Sequence, residues 1–468
     1  EAAREEGRSE AVVEAYGERS IAVLAFDDMS PDNDQEYMSD GIAEEILNLL
    51  AKVPDLRVIS RSSAFAFKGK DLPIPEIAAQ LNAAFILEGS VRKAGNQIRI
   101  TAQLIEAGSD THRWSETYDR ELKNVFDIQD DIAAQVVDEL KSTLLGNAPK
   151  SQRLDEEAYT LVLQARYFWW RRGEGDAAKA LELFEQAVEI DPNYAPAWVG
   201  LVSPYLVAIQ EGRLGREEGL AKANAAISKA LELDPDNAEA YVRLGQVMSW
   251  DPDHADDFYK QYEKAYELDP NNPLVLGSLA LQAGREGRID ELVEMSDRAA
   301  ALDPLGAIWW GNKASWLIRF RRADDAEIAA RKATELNGRV DQLRAAMADI
   351  HNIRGEYEQA LEALSHLPNE EFNLTRRAIA LYGVGRVEES DAMLAMFEQV
   401  GIPEALLGIA QAHAMRGNND LAFEYLERIR GDLHPPAIVY DAYTRALTDD
   451  PRWKLYVDSL DWPWEYEY

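Results

Sequence analysis

Residues 180–192, ALELFEQAVEIDP, end in a tripeptide that returns along the chain at a nearly constant period. In the first four copies an aliphatic residue is followed by Asp and Pro, and in the divergent last copy it is followed by Asn and Gly. Successive Asp or Asn positions are 43, 35, 34 and 34 residues apart. Because Pro has no amide N–H and disfavours helix at the residue before it, each copy predicts the end of a helix. The copies are Ile190-Asp191-Pro192, Leu233-Asp234-Pro235, Leu268-Asp269-Pro270, Leu302-Asp303-Pro304 and Leu336-Asn337-Gly338.

Small residues and turn residues keep a fixed distance from these tripeptides. Gly175, Gly287 and Arg321 stand seventeen positions before the Pro or the final Gly, where they mark the turn between two paired helices. A small residue five positions before the same points lets the two helices approach closely. These small residues are Ala187, Ala230, Ala265, Ala299 and Ala333.

Period, small residues, turn and terminating Pro together resemble tetratricopeptide repeats. Gly355, Gly385 and Gly417 continue the turn signal at shorter spacings of 30 and 32 residues. We expect about eight helix pairs over residues 155–434, an insertion near 211–219, and a C-terminal cap over 435–468. The resemblance implies a superhelix of stacked helix pairs, with a concave groove that binds peptides or protein partners.

Aromatic residues of the repeats are candidates to line this groove. The alternative is that they pack between helices, since an aromatic side chain at helical spacing is usually buried. We expect packing for most of them, and Trp310 occupies a large-residue packing position of the repeat. The candidates are Trp169, Trp170, Trp198, Tyr205, Trp250, Trp309, Trp310 and Trp316.

The N-terminal third has a different pattern, in which short apolar runs alternate with helices. Strands are predicted at 21–26, 57–60, 84–93, 97–105 and 112–118, and residues 98–104 alternate apolar with polar. Helices are predicted at 39–53, 75–81 and 125–145, the first capped by Ser39 or Asp40. This order predicts an α/β sandwich with helices covering the sheet. Residues 1–19 read as a polar linker or lead-in helix.

Five segments of this third resemble the TolB-like amino-terminal domain of bacterial multidomain proteins, over residues 20–148. In that family the domain is commonly followed by tetratricopeptide repeats. Members often carry, upstream, a class III adenylate or guanylate cyclase or a winged-helix DNA-binding domain, frequently with a membrane span between. Neither is present here, so those activities are not transferred. The segments are IAVLAF (21–26), YMSDG (37–41), RSSAFAFKGK (61–70), LEGSVR (87–92) and WSETYDR (114–120).

Charge and composition restrict the partners. The chain has 49 Lys and Arg against 84 Asp and Glu, a formal charge of −35. This charge repels nucleic acid and anionic membrane surfaces, so we expect protein or peptide partners of basic or amphipathic character. The absence of Cys excludes disulfides, Cys-based zinc sites and a thiol nucleophile. No apolar run approaches the roughly 20 residues of a membrane span. Because the chain begins at Glu1, we expect a processed or excised fragment whose anchor or upstream domain is missing.

No group of residues predicts catalysis. The six His never stand three or four positions apart, as a helical metal site would require. Phosphate-binding loops and nucleophile elbows are also absent from the sequence. Acidic runs at 251–257 and 27–36 lack the ligand spacing of a calcium loop and read as solvated turns. We therefore predict no enzyme activity, catalytic residue, metal or cofactor.

One basic cluster stands out in this acidic chain. Its cations are Arg57, Arg61, Lys68 and Lys70, with Ser62 and Ser63 between them. Such a cluster could receive an anionic ligand or an acidic partner segment through charge and hydroxyl donors. The alternative, which we favour, is that these cations pair with the acids of residues 27–45 while Phe65 and Phe67 enter the core.

These observations predict a non-enzymatic interaction, scaffold or sensory module of a bacterial envelope or signalling protein. Its expected location is the periplasm or the outer side of a membrane to which it is anchored. The alternative is the regulatory half of a cytoplasmic adenylate cyclase or winged-helix transcription regulator.

Overall fold

The computed structural model describes residues 19–32, 34–53, 56–121, 124–140, 155–171, 173–250, 258–367, 371–431, 433, 438–439 and 441–460. The predicted lead-in before Arg19 and the acidic run 251–257 lie outside the described residues. So do the junction at 148–154 and part of the predicted cap.

A six-stranded mixed sheet forms the N-terminal third. Its order is β3-β1-β4-β5-β6, and β2 pairs with β4 off this path. β1 is parallel to β3 and β4, and β4, β5 and β6 are antiparallel. The predicted first strand is broken after Val23, and its continuation is β2. The strands are β1 Ser20–Val23, β2 Asp27–Asp28, β3 Arg57–Val58, β4 Phe85–Ala94, β5 Gln97–Glu106 and β6 Thr111–Glu121.

The described part of this α/β domain also contains four α-helices: α1 Glu36–Ala51, α2 Arg61–Ala64, α3 Ile74–Leu81 and α4 Val125–Leu140. α1 and α4 pack into one apolar core with Val23, Ile100 and Leu104 of the sheet. A separate cluster joins α2 and α3 to Ala22 and Ile86. The expected cap of the first helix is wrong, because α1 begins at Glu36. Ser39 and Asp40 therefore lie inside the helix, where they are buried.

Sixteen helices follow between residues 156 and 428 of the described chain, in eight successive pairs. The predicted fold class, an α/β N-terminal region followed by an all-α repeat superhelix, is confirmed. The helices are α5 Glu156–Arg171, α6 Asp176–Ile190, α7 Ala195–Gln210, α8 Arg216–Leu233, α9 Ala238–Met248, α10 Phe258–Leu268, α11 Pro273–Arg285, α12 Ile289–Leu302, α13 Ala307–Arg319, α14 Ala323–Asn337, α15 Val340–Arg354, α16 Tyr357–Leu364, α17 Glu371–Gly383, α18 Val387–Val400, α19 Pro403–Met415 and α20 Asn419–Arg428.

The repeated tripeptides end helices as the sequence predicts. α6, α8, α10 and α12 each stop at the residue before the Asp, and α14 stops at Asn337. The inter-helix turns take left-handed backbone at the predicted places, with φ of +78° at Gly175 and Gly287 and +57° at Arg321. The predicted insertion near 211–219 takes a different form. It lengthens α7 and α8 to 16 and 18 residues, against 13 and 14 in α11 and α12.

Contacts within the chain define two compact units. The N-terminal unit contains the described residues up to Leu279 together with Arg298–Leu305. The C-terminal unit contains Ala280–Asp297 and the described residues from Gly306 onward. A last helix, α21 Pro451–Asp458, buries Trp453 and Tyr456 against the final repeats.

Candidate interaction surfaces

Arg57 of the basic cluster lies inside the N-terminal unit with only 2% of its surface exposed. Its guanidinium donates hydrogen bonds to the Asn82 carbonyl (3.0 Å) and the Ala301 carbonyl (3.1 Å from Nε). Ala301 lies in the last turn of α12. Arg57 therefore joins the α/β domain to the end of a repeat helix.

The other three cations contact acidic or aromatic side chains of the same domain. Burial raises the pKa of Asp40, and its hydrogen bond from Lys68 opposes this rise. These contacts agree with an internal role for the cluster. The pairs are Arg61 with Glu44 (2.8 Å), Lys68 with Glu36 (2.7 Å) and Asp40 (2.6 Å), and Lys70 with the ring of Phe67 (5.1 Å to the centroid).

Three serine hydroxyls converge on one buried carboxylate. Ser60, Ser62 and Ser63 donate to Oδ1 of Asp303 at 2.5, 2.8 and 2.6 Å. Asp303 is 4% exposed and belongs to the fourth Asp-Pro tripeptide. The hydroxyl of Ser63 also accepts the backbone N–H of Leu305 at 2.8 Å. The serines predicted as anion-binding groups thus bind an anion of the chain itself.

Asp303 was not identified from the sequence, although a signal for it exists. In the first three tripeptides the Asp accepts hydrogen bonds from an Asn two or three residues later, namely Asn193, Asn237, Asn271 and Asn272. After Asp303 come only Pro304, Leu305 and Gly306 before α13 begins. With no local polar side chain, a buried carboxylate requires donors from elsewhere in the fold.

The α/β domain also contacts the first repeat. The hydroxyl of Tyr167 in α5 donates to Glu36 in α1 at 2.8 Å, and Arg166 pairs with Glu45 at 2.5 Å. Burial opposes the charge of Arg166, but Glu45 and Glu44 raise its pKa. These contacts fix α1 on α5.

Two further Asp-Pro turns lie within electrostatic range of the domain. Burial raises the pKa of Tyr194, which follows the first tripeptide, and Glu45 of α1 adds to the rise. Burial likewise raises the pKa of Asp269 in the third tripeptide, and Lys52 at the end of α1 opposes it. The α/β domain thus approaches the first and third Asp-Pro turns as well as the fourth.

The candidate aromatics of the N-terminal unit mostly pack against its core, and Tyr205 is buried. Tyr205 is buried and donates to Glu185 at 2.9 Å, and the indole N–H of Trp198 donates to the Pro192 carbonyl at 2.9 Å. Trp169, Trp198 and Trp250 pack against the main core. Trp170 is the most exposed of these candidates at 40%, and the Arg61 guanidinium lies 5.0 Å from its ring centroid.

In the C-terminal unit, Trp310 and Trp316 also pack between helices. Trp310 contacts the small residues Ala314, Ala329 and Ala330. Trp316 covers Gly284 so closely that a Cβ there would lie 2.6 Å from the indole. Trp309 is half-buried beside Ile308.

Exposed apolar residues recur where repeats of the C-terminal unit begin. Ile308, Val340 and Ile402 are 60%, 47% and 43% exposed. They stand at or next to the first residue of α13, α15 and α19. The three residues thus lie at the N-terminal ends of the first helices of their pairs.

A polar network fixes the last repeats to the cap. Arg376 donates two hydrogen bonds to Asp349, at 2.7 and 2.8 Å, and the Tyr443 hydroxyl donates to the same carboxylate at 2.5 Å. Asn352 donates to the Tyr443 oxygen at 3.3 Å. Tyr443 thus joins the C-terminal segment to α15, and Arg376 extends the network to α17.

Within the described ranges, no group of three or more His, Cys, Asp or Glu side chains could hold a metal ion. The same part of the chain contains no helix with the length and apolar character needed to cross a membrane.

Sequence profiles described as tetratricopeptide repeat match residues 172–194, 213–273 and 375–438. The helices in these three segments are tetratricopeptide repeats. The matched segments fall in both compact units.

Two curated relatives are similar to parts of the chain. “Putative adenylate cyclase 3” of Rhizobium meliloti (strain 1021) is 35% identical over 236 residues, 49% of this chain and 40% of the relative. “Cellulose synthase operon protein C” of Xanthomonas axonopodis pv. citri (strain 306) is 25% identical over 291 residues, 48% of this chain and 19% of the relative. The chain thus spans less than half the length of these relatives.

Solved structures with a similar arrangement are more distant in sequence. PilW, a type IV pilus biogenesis factor, is 17% identical with a TM-score of 0.39, over 47% of this chain and 99% of that one. A tetratricopeptide repeat protein from Parabacteroides merdae is 14% identical with a TM-score of 0.40, over 54% and 99% of the two chains.

Proposed function

We propose that this chain is a non-catalytic protein-interaction and sensory module whose C-terminal repeats bind a segment of another protein. The observation that carries the proposal is the row of exposed apolar residues Ile308, Val340 and Ile402 at the starts of repeats. Stacked helical repeats bind partners on extended surfaces that run across several repeats.

The proposed partner segment is amphipathic and basic. Its apolar side chains would cover Ile308 and the half-buried Trp309, and its cations would face a chain of charge −35. Charge complementarity of this kind speeds association and weakens as salt is added. In this proposal the basic cluster at 57–70 has an internal role. Its cations contact α1 and the Ala301 carbonyl, and Ser62 and Ser63 bind Asp303.

A second candidate function is the regulatory half of an adenylate cyclase. The 35% identity to the Rhizobium meliloti protein favours it. The resemblance of residues 20–148 to a TolB-like domain supports it too, because that family links such domains to cyclases. In this version, partner binding to the repeats changes the output of a cyclase domain elsewhere in the same polypeptide. In the first candidate function, by contrast, the chain lies on the outer side of a membrane or in the periplasm.

Peptide display tests the interaction function even though the partner is unidentified. A random peptide library is selected on the immobilised wild-type chain, on Ile308→Glu and on the control Ile328→Glu. Ile328 is 43% exposed on α14, so the control adds the same charge at another exposed apolar site. We expect basic amphipathic peptides that bind wild type and control, and lose binding to Ile308→Glu.

The double variant Trp309→Ala plus Trp310→Ala tests the same face more severely. Because Trp310 also packs against helix α14, its folding is checked by circular dichroism. Peptides that bind all variants equally, or the failure of any peptide to be selected, would contradict the proposal. For the second candidate, the readout is cAMP formation by the full-length gene product with and without the selected peptide.

A further inference from the structure

α18 has a second apolar face, which is exposed to solvent. Its buried face is formed by Ser390, Leu394 and Phe397. A surface helix normally carries charged or polar residues on the side opposite its buried face. Between residues 392 and 400, that side of α18 has no charged residue. Its exposed residues, at the spacing i, i+3, i+4, i+7 and i+8, are Ala392, Ala395, Met396, Gln399 and Val400, and Met396 and Val400 are each 57% exposed.

The corresponding surface of α14 has the usual polar character. α14 is also the second helix of its pair, and its exposed residues include Arg331, Lys332 and Glu335. A partner that covered these charges would have to remove the water that solvates them. The exposed face of α18 carries no charge, so a partner can cover it at a lower desolvation cost. Contiguous exposed apolar patches commonly mark sites of protein interaction.

Two ion pairs border this face along one side. Asp391 pairs with Arg416 of α19 at 2.7 Å, and Glu398 pairs with Arg428 of α20 at 2.8 Å. An apolar centre with a polar rim is the usual anatomy of a protein interface. The two acids already have basic partners, so they belong to the rim and leave the apolar face itself uncharged.

Exposed acids without a basic partner stand at both ends of the face. Glu388 precedes it in the first turn of α18, and Glu404 follows it in the first turn of α19. Neither forms an ion pair with a residue of the described chain. The carbonyl groups at the C-terminal end of α18 add a partial negative charge. A ligand that matches this face therefore has an apolar middle and a cation at each end.

We propose that this face of α18 binds an amphipathic α-helix of another protein, with basic residues at both of its ends. The surface offers side chains and no backbone donors, so the segment that fits is a helix, which satisfies its own backbone hydrogen bonds. Ala392 and Ala395 allow the two helices to approach closely, and the flexible side chain of Met396 adapts to the partner. The proposal goes beyond the proposed function, because this face lies on a second helix and does not include Ile308.

A second copy of this chain does not match the face. Antiparallel pairing of α18 with itself would bring Glu388 of one copy towards Glu404 of the other. Parallel pairing would bring each of these acids towards its own counterpart. Like charges facing each other across an interface are unfavourable. The charge at the two ends therefore favours a basic partner over self-association.

A designed peptide tests the proposal without a known partner. Glu388 and Glu404 are 16 positions apart, so the probe is a fluorescent peptide of about 17 residues, which as a helix spans roughly 24 Å. It has Leu and Ala at the spacing i, i+3, i+4 and i+7, Gln elsewhere and two Lys at each end. Fluorescence anisotropy should give a dissociation constant of about 100 µM or tighter for wild type. A peptide with the same ends and a scrambled middle should bind at least about tenfold more weakly.

Matched variants locate the binding site. Met396→Lys places a cation in the middle of the face and should weaken binding of the probe at least about tenfold. Ile328→Lys, at an exposed apolar site of α14, changes the net charge equally and should stay within about twofold of wild type. The double variant Glu388→Lys plus Glu404→Lys should weaken binding of this probe and strengthen binding of a probe with Glu at both ends. Circular dichroism checks that each variant is folded.

Equal binding of the probe to Met396→Lys and Ile328→Lys would overturn the proposal. So would equal binding of the probe and the scrambled peptide, or no binding of the probe at about 1 mM. A wild-type dimer in sedimentation equilibrium that Met396→Lys abolishes would make the occupant a second copy and would overturn it too. The probe is also measured on Ile308→Glu. Loss of binding there, with unchanged binding to Met396→Lys, would contradict this proposal and support the proposed function.

Discussion

Replacement of Asp303 by Ala should release the α/β domain from the fourth Asp-Pro turn. The carboxylate accepts three hydroxyl hydrogen bonds of 2.5 to 2.8 Å in a buried site. Each hydrogen bond to a charged group contributes about 1.5 to 3 kcal/mol. Removal of the charge also removes a desolvation cost of several kcal/mol. The net loss of unfolding free energy should be about 3 kcal/mol.

Two further variants separate charge from geometry. Asp303→Asn keeps an acceptor oxygen for all three hydroxyls but removes the charge, so its cost should be about half that of Asp303→Ala. The matched control is Asp191→Ala at the first tripeptide, where the Asp accepts the Asn193 N–H at 3.0 Å. This change should cost about 1 kcal/mol.

Urea denaturation measures the three free energies, and hydrogen exchange locates the effect. Asp303→Ala should increase exchange in residues 57–67 and 298–305 and leave the C-terminal unit unchanged. Equal costs for Asp303→Ala and Asp191→Ala, or unchanged exchange in residues 57–67, would refute the interpretation that Asp303 holds the domain.

Three further predictions each concern the substitution of a single residue. Ser63→Ala removes a donor to Asp303 and leaves the half-buried N–H of Leu305 without its acceptor. Urea denaturation should therefore show a loss of unfolding free energy of about 2 kcal/mol. A loss below about 0.5 kcal/mol would contradict this expectation. Asp450 accepts the Arg452 backbone N–H at the start of α21, and the Arg452 side chain lowers the pKa of Asp450. Asp450→Ala should therefore lower the unfolding free energy by about 1 kcal/mol at pH 7. This loss should shrink as the pH falls below about 4, because the wild-type carboxylate then becomes protonated in the unfolded chain. Burial lowers the pKa of His413, so below about pH 6.5 the unfolded chain takes up a proton more readily than the folded chain, and the unfolding free energy falls. The urea midpoints at pH 7.5 and 5.5 should therefore differ less for His413→Gln than for wild type. Equal differences would exclude His413 as a source of this pH dependence.

The features that sequence predicts well here are local ones. A helix must stop where Pro removes an N–H and crowds the preceding residue, so the tripeptides placed the ends of α6, α8, α10 and α12. The turn at Gly175 likewise needs a left-handed residue, whatever packs around it. The strands were located because their apolar residues alternate or cluster over a few positions.

The features that sequence does not predict depend on distant contacts. Ser39 and Asp40 are good capping residues, yet α1 begins three residues earlier and buries both against its neighbours. The partner of Asp303 is about 240 residues away, and local rules do not specify such a pairing. The basic cluster was identified because of its charge, but its contacts with Glu44, Asp40 and Ala301 required the fold.

The most direct test of the central claim is a binding titration with a selected basic amphipathic peptide. Fluorescence anisotropy would give dissociation constants for wild type, Ile308→Glu and Ile328→Glu at low and high salt. The account predicts at least about a tenfold weaker constant for Ile308→Glu, an unchanged constant for Ile328→Glu, and weaker wild-type binding at high salt. Equal constants for the three proteins would contradict the claim that the C-terminal repeats bind their partner along the row of Ile308, Val340 and Ile402.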